Sequence, residues 1–434
     1  MSERVLTDVL LDFGQSYWAS SLASKEYPGL RSSKFESVGQ YGIGFYSIFM
    51  IASEVYITSR QYTAALGDAL TLKFPNGLSL RPIITNINPN DYKVSISTLI
   101  HAKLKKDIIP ADGMILIKTN RVGAVNFTVP IEKYVTAVVA GLDTDIYMKT
   151  DTNTEIRIHE DVNSPTFDAL QWIKDISFSE YQTTVQDKLD YITSNITRLR
   201  PIIENGIRKG FAAITTRLGN TNDFLSAKTI GGLTNDIHNR NSEKYIGYID
   251  FFPSSANRND GEKYSASEQS VLDWATEQLN IIKSLSLSPA EKFVAASAMC
   301  QFKVDPTEIA QIFFYNSGQV NFSDLSYLAD LSLNHRILFR VTPIFLNTHM
   351  STFGGIDFSK HTNDEIIIHP LTNSSFLSLE RENGIPKNNF SILDCLYRTI
   401  VKKGYIPTIS EQALGYNDSF GYDLSAVVVT SIKA

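Results

Sequence analysis

The sequence predicts an α+β protein of more than one domain, and three observations carry that prediction. In roughly the first third of the chain, short strand-like segments separated by turn signals follow a glycine-rich stretch, which is the pattern of an antiparallel sheet. Beyond about residue 160, amphipathic helical spacing alternates with longer strands, and beyond about 290 short helices give way to a mixed α/β tail. At 434 residues the chain is long for one core, so it divides into 1–159, 160–288 and 289–434.

Composition narrows the class of protein. A hydrophobic content of 43% with 20% charged residues excludes a disordered or fibrous chain. The formal net charge is -6 and no basic block occurs, so nucleic acid is not an expected partner. Two cysteines, Cys300 and Cys395, are too few for a disulfide framework and are expected as buried thiols. No Cys/His cluster has metal spacing, and His349, His361 and His369 are read as structural. The N-terminus lacks signal-peptide architecture and no apolar run approaches the ~20 residues that cross a bilayer. A cytoplasmic protein that does not enter membranes is therefore expected.

Taken in order, residues 3–13 place Val5, Leu6, Val9, Leu10 and Phe13 on one helical face, and Gly14 ends the helix. The Ser- and Gly-rich stretch to Val38, with Pro28-Gly29 as a turn, suits a segment able to change conformation. Then comes Gly39-Gln40-Tyr41-Gly42-Ile43-Gly44-Phe45-Tyr46-Ser47, followed by the apolar run 48–52. Glycines let the backbone approach a ligand, and a glycine loop opening a buried helix over 45–52 presents free N–H groups to phosphate. The motif has neither the Lys-Ser/Thr of a P-loop nor the preceding strand of a dinucleotide fingerprint. Strands are expected over 54–60, 69–74, 78–84, 94–104 and 114–119, with turns at 75–77 and 111–113, then a helix over 131–142 and a strand over 152–159. Further on, helices are expected over 167–176 and 180–199, strands over 206–217 and 243–252, and a loop over 220–240. A helix through 285 opens with Ser265 and Glu268 as a capping box. Helices over 289–300, 305–315 and 323–333 follow, with Asp305 and Pro306 read as a helix start. The tail carries strands over 336–346, 365–369 and 424–432 and a helix over 391–403 ended by Gly404.

The wording of the Gly39 to Ser47 stretch, with the run 48–52 and Val55-Tyr-Ile-Thr-Ser-Arg60, resembles the second glycine box of the Hsp90/HtpG chaperones, within the ATPases of the Bergerat nucleotide fold. The Phe-Tyr-Ser ending separates it from the boxes of the mismatch-repair and topoisomerase relatives. The resemblance implies a partial Bergerat-type α/β sandwich, a middle domain similar to the second domain of ribosomal protein S5, and an α/β C-terminal region unlike the chaperones' dimerisation domain. It implies that the amides of Gly39, Gln40, Tyr41, Gly42, Ile43, Gly44 and Phe45 close over the phosphates of ATP. Met1 stands at the methionine of the family's adenine-binding box, and Ser97-Thr98 at its Gly-Thr strand, where Thr98 supports the adenine pocket. On this resemblance the family's adenine-binding Asp, magnesium-binding Asn and water-activating Glu precede the segment matching Met1, so little ATPase activity is expected of this chain. Gln15 replaces a lysine common in the family. The layout of 248–258, a strand, a proline and a polar turn ending in arginine, is similar to the family's catalytic loop, which makes Arg258 the γ-phosphate contact. The implied ligands are ATP and Mg2+, and the implied partner is a client protein, with an open sheet edge that also invites a second copy of the chain. The alternative is a non-catalytic interaction or regulatory module that keeps the fold.

Overall fold

The computed structural model describes residues 1–12, 14, 16–30, 42, 44–87, 97–105, 110, 112–118, 126–149, 154–178, 186–216, 225–235, 237, 244–255, 261–316, 319–340, 352–353, 356–357, 365–368, 381–382, 385–386, 390–417 and 422–434. The fold is α+β, as the sequence predicts, and its contacts divide into two compact units. One comprises Met1–Lys118, Val125–Val135 and Phe252–Lys263; the other comprises Thr119–Ala124, Thr136–Phe251 and Tyr264–Ala434. Among the described residues no helix is long and apolar enough to cross a membrane.

The first unit opens with a π-helical turn, Val5–Val9, where the sequence predicts an ordinary helix over 3–13. Leu10 N reaches back five residues to Val5 O (2.9 Å), and the wider turn brings Val5 and Leu6 together into the core. Gly14 leaves the segment with a φ of +91°, a conformation open to glycine. Helix α1 (Ser21–Glu26) starts at Ser20, whose side chain accepts from Ala23 N (3.1 Å).

The helix expected over 45–52 is shorter and less buried than its apolar run suggests. A 3-10 turn, Phe45–Ser47, leads into α2 (Ile48–Ile51), and Ala52 is already extended as the first residue of β1 (Ala52–Ser59). Phe49 is buried, whereas Met50 and Ile51 are 75% and 45% exposed. Lys105 holds the end of this helix, its Nζ donating to Phe49 O (2.9 Å) and Met50 O (3.1 Å). Strands β2 (Leu70–Phe74), β3 (Ile83–Asn86) and β4 (Thr98–Leu104) complete an antiparallel sheet in the order β3-β2-β1-β4. Register sets Val55 against Phe74 and Ile57 against Leu72, so one face carries these four into a core with Leu6, Phe49 and Ala52. On the opposite face the buried hydroxyls of Thr58 and Thr71 meet at 2.9 Å. A hairpin of β5 (Met114–Ile117) and β6 (Phe127–Pro130) follows, then α3 (Ile131–Val138).

The second unit begins with the hairpin β7 (Ile146–Lys149) and β8 (Glu155–His159), followed by α4 (Ala169–Ser177) and α5 (Gln186–Ile196). Its first sheet contains β9 (Arg200–Glu204), β10 (Ile207–Ile214), β11 (Ser226–Ile230), β12 (Leu233–Thr234) and β13 (Tyr245–Phe252), in the order β12-β11-β13-β10-β9. The sequence predicts a loop over 220–240, yet β11 lies there and pairs in parallel with β13. Ser226, Ala227, Thr229 and Ile230 are buried in it, and its partner is distant in sequence, so no local signal announces it. After β14 (Lys263–Tyr264), helix α6 (Glu268–Lys283) is capped by Ser267 and not by Ser265: the Ser267 hydroxyl accepts from Ser270 N (3.2 Å). Glu204 on β9 takes up three more donors there, Ser267 N, Ser267 Oγ and Ser270 Oγ, which holds its carboxyl down at about 2.

Helix α7 (Pro289–Gln301) carries the full Ser288 and Glu291 capping box. The helix expected over 305–315 is a correction. Asp305 and Pro306 build only one turn, with Ile309 N and Ala310 N both donating to Pro306 O (2.9 Å each). Residues Gln311–Asn316 then form β15, hairpin-paired with β16 (Gln319–Asp324). Ile312-Phe313-Phe314-Tyr315 is a β-branched and aromatic run, and a cross-strand partner two residues away outweighs one cap and one proline. Helix α8 (Leu325–Leu331), β17 (Arg336–Arg340), the short hairpins β18 (Thr352–Phe353) with β19 (Ile356–Asp357) and β21 (Arg381–Glu382) with β22 (Ile385–Pro386), β20 (Glu365–Ile368), α9 (Ile392–Lys402), β23 (Tyr405–Asn417) and β24 (Tyr422–Lys433) complete the chain. The last sheet runs β16-β15-β20-β17-β24-β23. Cys300 and Cys395 are both free and buried, as predicted; burial pushes both thiols up, Cys395 to about 12.

A buried polar group joins the β7–β8 hairpin to the first sheet of this unit. The Arg208 guanidinium donates to Tyr248 Oη (2.7 Å), Asp161 Oδ1 (2.9 Å) and Leu142 O (3.5 Å). His159 lies against the same Leu142 carbonyl (3.2 Å), which can only accept, so Nε2 carries the proton and the enclosed Nδ1 has no partner. Burial lowers the His159 pKa and Arg208 lowers it further, while the Leu142 carbonyl, Asp145 and Asp161 oppose the shift. A histidine depressed in the folded state binds its proton more readily when unfolded. Its contribution to stability is therefore complete above the unfolded pKa near ~6.5 and is lost as pH falls from there towards the folded value. Thermal midpoints measured between pH 8 and pH 5 should fall more steeply for the wild type than for His159→Gln, which keeps a donor for Leu142 and cannot take up a proton. Parallel curves would show that His159 does not set this slope.

Candidate functional site

The end of β1 carries a group of polar residues at the top of the first core. The β1–β4 register pairs Ser59 with Thr98, and their hydroxyls stand 2.7 Å apart. Met1 N donates to Ser59 Oγ (2.6 Å) and to Arg60 O (3.4 Å). Ser59 Oγ also lies 3.2 Å from Ser97 O, and Arg60 N donates to the same carbonyl (3.0 Å). Ser59 is buried and Thr98 half-buried, while the Met1 side chain packs on the Leu6, Val55 and Ile57 core. Met1 and Thr98, which the sequence singles out, thus share one hydrogen-bonding partner.

The segment after Gly14 is joined to the start of the chain and to the turn after β1. Glu26 at the end of α1 accepts from Ser2 Oγ (2.5 Å) and Tyr17 Oη (2.9 Å), and Tyr27 stacks on Tyr62 with ring centroids 6.3 Å apart. Burial, then the bond to Glu26, raises the Tyr17 pKa, so the phenol stays a proton donor to that carboxylate across the physiological range.

The described part of the glycine stretch stands at the other end of the opening helical segment. Gly42 has a φ of +65°, and its carbonyl accepts from Gly14 N (3.4 Å). Gly44 is right-handed at φ −58°, and a Cβ added to it would meet no atom within 4 Å. Its carbonyl accepts from Ser47 Oγ (2.6 Å) and Ser47 N (3.3 Å). Phe45 packs its ring on Phe49 and Phe74, with centroids 5.5 and 5.7 Å away, and Tyr46 Oη donates to Leu11 O (2.7 Å). Phe45 therefore contributes its backbone to the loop and its side chain to the core.

Gly39, Gln40, Tyr41, Ile43 and Arg258 lie outside the described residues, as do Gln15, residues 31–38 and His349, His361 and His369. In the second unit, β13 is tied at Asp250, whose enclosed carboxylate accepts from Thr229 Oγ1 (2.8 Å) and Gly232 N (3.1 Å). Burial raises the Asp250 pKa. Sequence reasoning missed Ser59, Arg60 and Glu26. Only the strand register could have named Ser59, because a residue directly opposite Thr98 on a neighbouring strand must share its surroundings. The described residues form no group of three or more His, Cys, Asp or Glu able to hold a metal ion.

Compared with protein-family models and with curated proteins, the chain matches none.

Proposed function

We propose that the first unit is the ATP-binding part of an Hsp90-like protein of the cytoplasm, a partial Bergerat-type sandwich followed by an S5-like middle region and an α/β C-terminal region. The observation that supports this most strongly is the hydrogen-bonded group of Met1, Ser59 and Thr98, since two positions drawn from the resemblance for adenine meet on one serine. In this proposal the group lies beneath the base, the amides of the Gly39 to Gly44 loop hold the phosphates, and Arg258 meets the γ-phosphate. ATP enters as its magnesium complex, and among the described residues no group of three or more His, Cys, Asp or Glu is formed. Glu26 and Tyr17 hold the segment after Gly14 against Ser2, and nucleotide binding shifts that segment between two positions, which is how occupancy reaches a client protein.

A second reading, a non-catalytic interaction module, draws on the outer strand of the first sheet. Among the described residues β4 pairs within that sheet with β1 alone, and Leu99, Ile100 and Leu104 on it are 50%, 53% and 42% exposed. Such an edge suits a partner protein or a second copy of the chain.

Gly44→Val tests the proposal cleanly, because Gly44 has an ordinary φ and open space around its Cβ. The substitution is expected to leave the thermal midpoint unchanged and to weaken binding of labelled ATP by roughly tenfold or more, through a side chain laid over the phosphate loop. Equal affinities for wild type and variant would remove the phosphate role, and a wild type that ignores ATP would leave only the interaction module.

A further inference from the structure

We propose that Arg60 reads the base of the bound nucleotide, its Nε–H donating to a ring-nitrogen acceptor of a purine; this rests on the nucleotide-binding proposal above. Arg60 leaves β1 directly after Ser59, and its backbone is fixed on both sides, N to Ser97 O (3.0 Å) and O to Met1 N (3.4 Å). The residue is therefore anchored within the Met1, Ser59 and Thr98 group. One edge of its guanidinium is also anchored, with Nη1 donating to Ala64 O (2.5 Å) and Gln61 O (3.4 Å) in the turn that follows. Nε is enclosed by protein and has no hydrogen-bond partner. Among the described residues no carboxylate lies within ion-pair distance of Arg60.

An exposed arginine would have water at Nε. An enclosed N–H of a cation without an acceptor is unfavourable, and a ligand atom accepting the bond removes that penalty. The surroundings indicate which atom. Ser59 and Thr98 contribute hydroxyls, which donate or accept, and Arg60 contributes donors only. A purine offers ring nitrogens as acceptors and, in adenine, one exocyclic donor, so the three side chains together match both kinds of group. A phosphate is the other natural partner of arginine. The glycine loop, however, is tied to Gly14 and Leu11 at the far end of the opening helical segment, whereas Arg60 is tied to Met1.

Titration calorimetry with two probes, ATP and inorganic tripolyphosphate, separates base reading from phosphate binding. Arg60→Lys keeps a cation that can reach the carbonyls of the turn but has no Nε–H; Arg60→Met removes both. Arg60→Lys is expected to bind ATP about tenfold more weakly, to bind tripolyphosphate as the wild type does, and to keep its ligand-free melting temperature. Arg60→Met is expected to show the same split between probes even where its ligand-free melting temperature falls. Unchanged ATP affinity in both variants would overturn the inference and assign Nε to a buried water. Parallel losses for ATP and tripolyphosphate would overturn it too, in favour of a phosphate or purely structural role. A wild type that binds neither probe would instead refute the nucleotide-binding proposal itself.

Discussion

Gly247→Ala is expected to lower the melting temperature of the second unit by on the order of 10 °C. Gly247 lies in β13 between two neighbours, opposite Ala212 on β10 and Ser226 on β11, and its N donates to Leu225 O (2.9 Å). Its φ is +96°, and a Cβ built on it would stand 2.2 Å from Phe211 O and 3.2 Å from Ala212 Cα. The nearest atoms are backbone of a paired strand and cannot turn aside. Left-handed strain and overpacking each contribute about 1–3 kcal/mol, so the sum is roughly 2–6 kcal/mol, at a few degrees per kcal/mol for a unit of this size. Gly206→Ala is the matched control: Gly206 also has a positive φ, +81°, but no atom lies within 4 Å of its added Cβ. Differential scanning calorimetry of the two variants should show a small shift for Gly206→Ala and a large one for Gly247→Ala. Equal shifts would mean that the strand neighbours of Gly247 do not press on it.

Trp274→Ala should destabilise the same unit by about 3–5 kcal/mol. The indole is buried in α6, donates its Nε1–H to Ala212 O (3.2 Å), and meets the Phe302 ring edge-on at 5.1 Å. It belongs to the largest apolar cluster among the described residues, with Ile249, Phe251, Phe293 and Met299, so its removal leaves a cavity that distant helices cannot fill. Trp274→Phe keeps most of the volume and loses the bond to Ala212, so about 1–2 kcal/mol is expected. Urea unfolding followed by far-UV circular dichroism orders the three proteins. If the phenylalanine variant were as unstable as the alanine variant, the hydrogen bond and not the packing would dominate.

The parts of this fold that could be read from the sequence are those stabilised by near neighbours. The alternation of Val55 and Ile57 fixed β1, and the spacing of Val271, Trp274, Ala275, Leu279 and Ile282 fixed α6. Ser391 and Gly404 marked the two ends of α9. What escaped depends on pairings and contacts made in three dimensions, which local spacing does not report. β11 hides in a Gly- and Asn-rich stretch because its stability comes from parallel pairing with β13. β15 was mistaken for a helix because Asp305 and Pro306 start a turn that β16 then overrules. The cap of α6 moved from Ser265 to Ser267 because Glu204, on a strand more than sixty residues earlier, binds Ser267 and Ser270. For the candidate site, the sequence could name Met1, Gly42, Gly44 and Thr98 through a resemblance. It could not name Ser59 or Arg60, whose significance comes from strand register and from an enclosed Nε.

The central claim is that ATP binds across the opening helical segment, from Met1, Ser59 and Thr98 to the glycine loop. Hydrogen exchange of the whole chain, with and without saturating magnesium-ATP, tests it most directly. Slower exchange confined to peptides covering residues 1–14, 39–47, 59–64 and 97–98 is the predicted result. Exchange that is unchanged in these peptides at millimolar ATP, or protection that falls elsewhere, would contradict it.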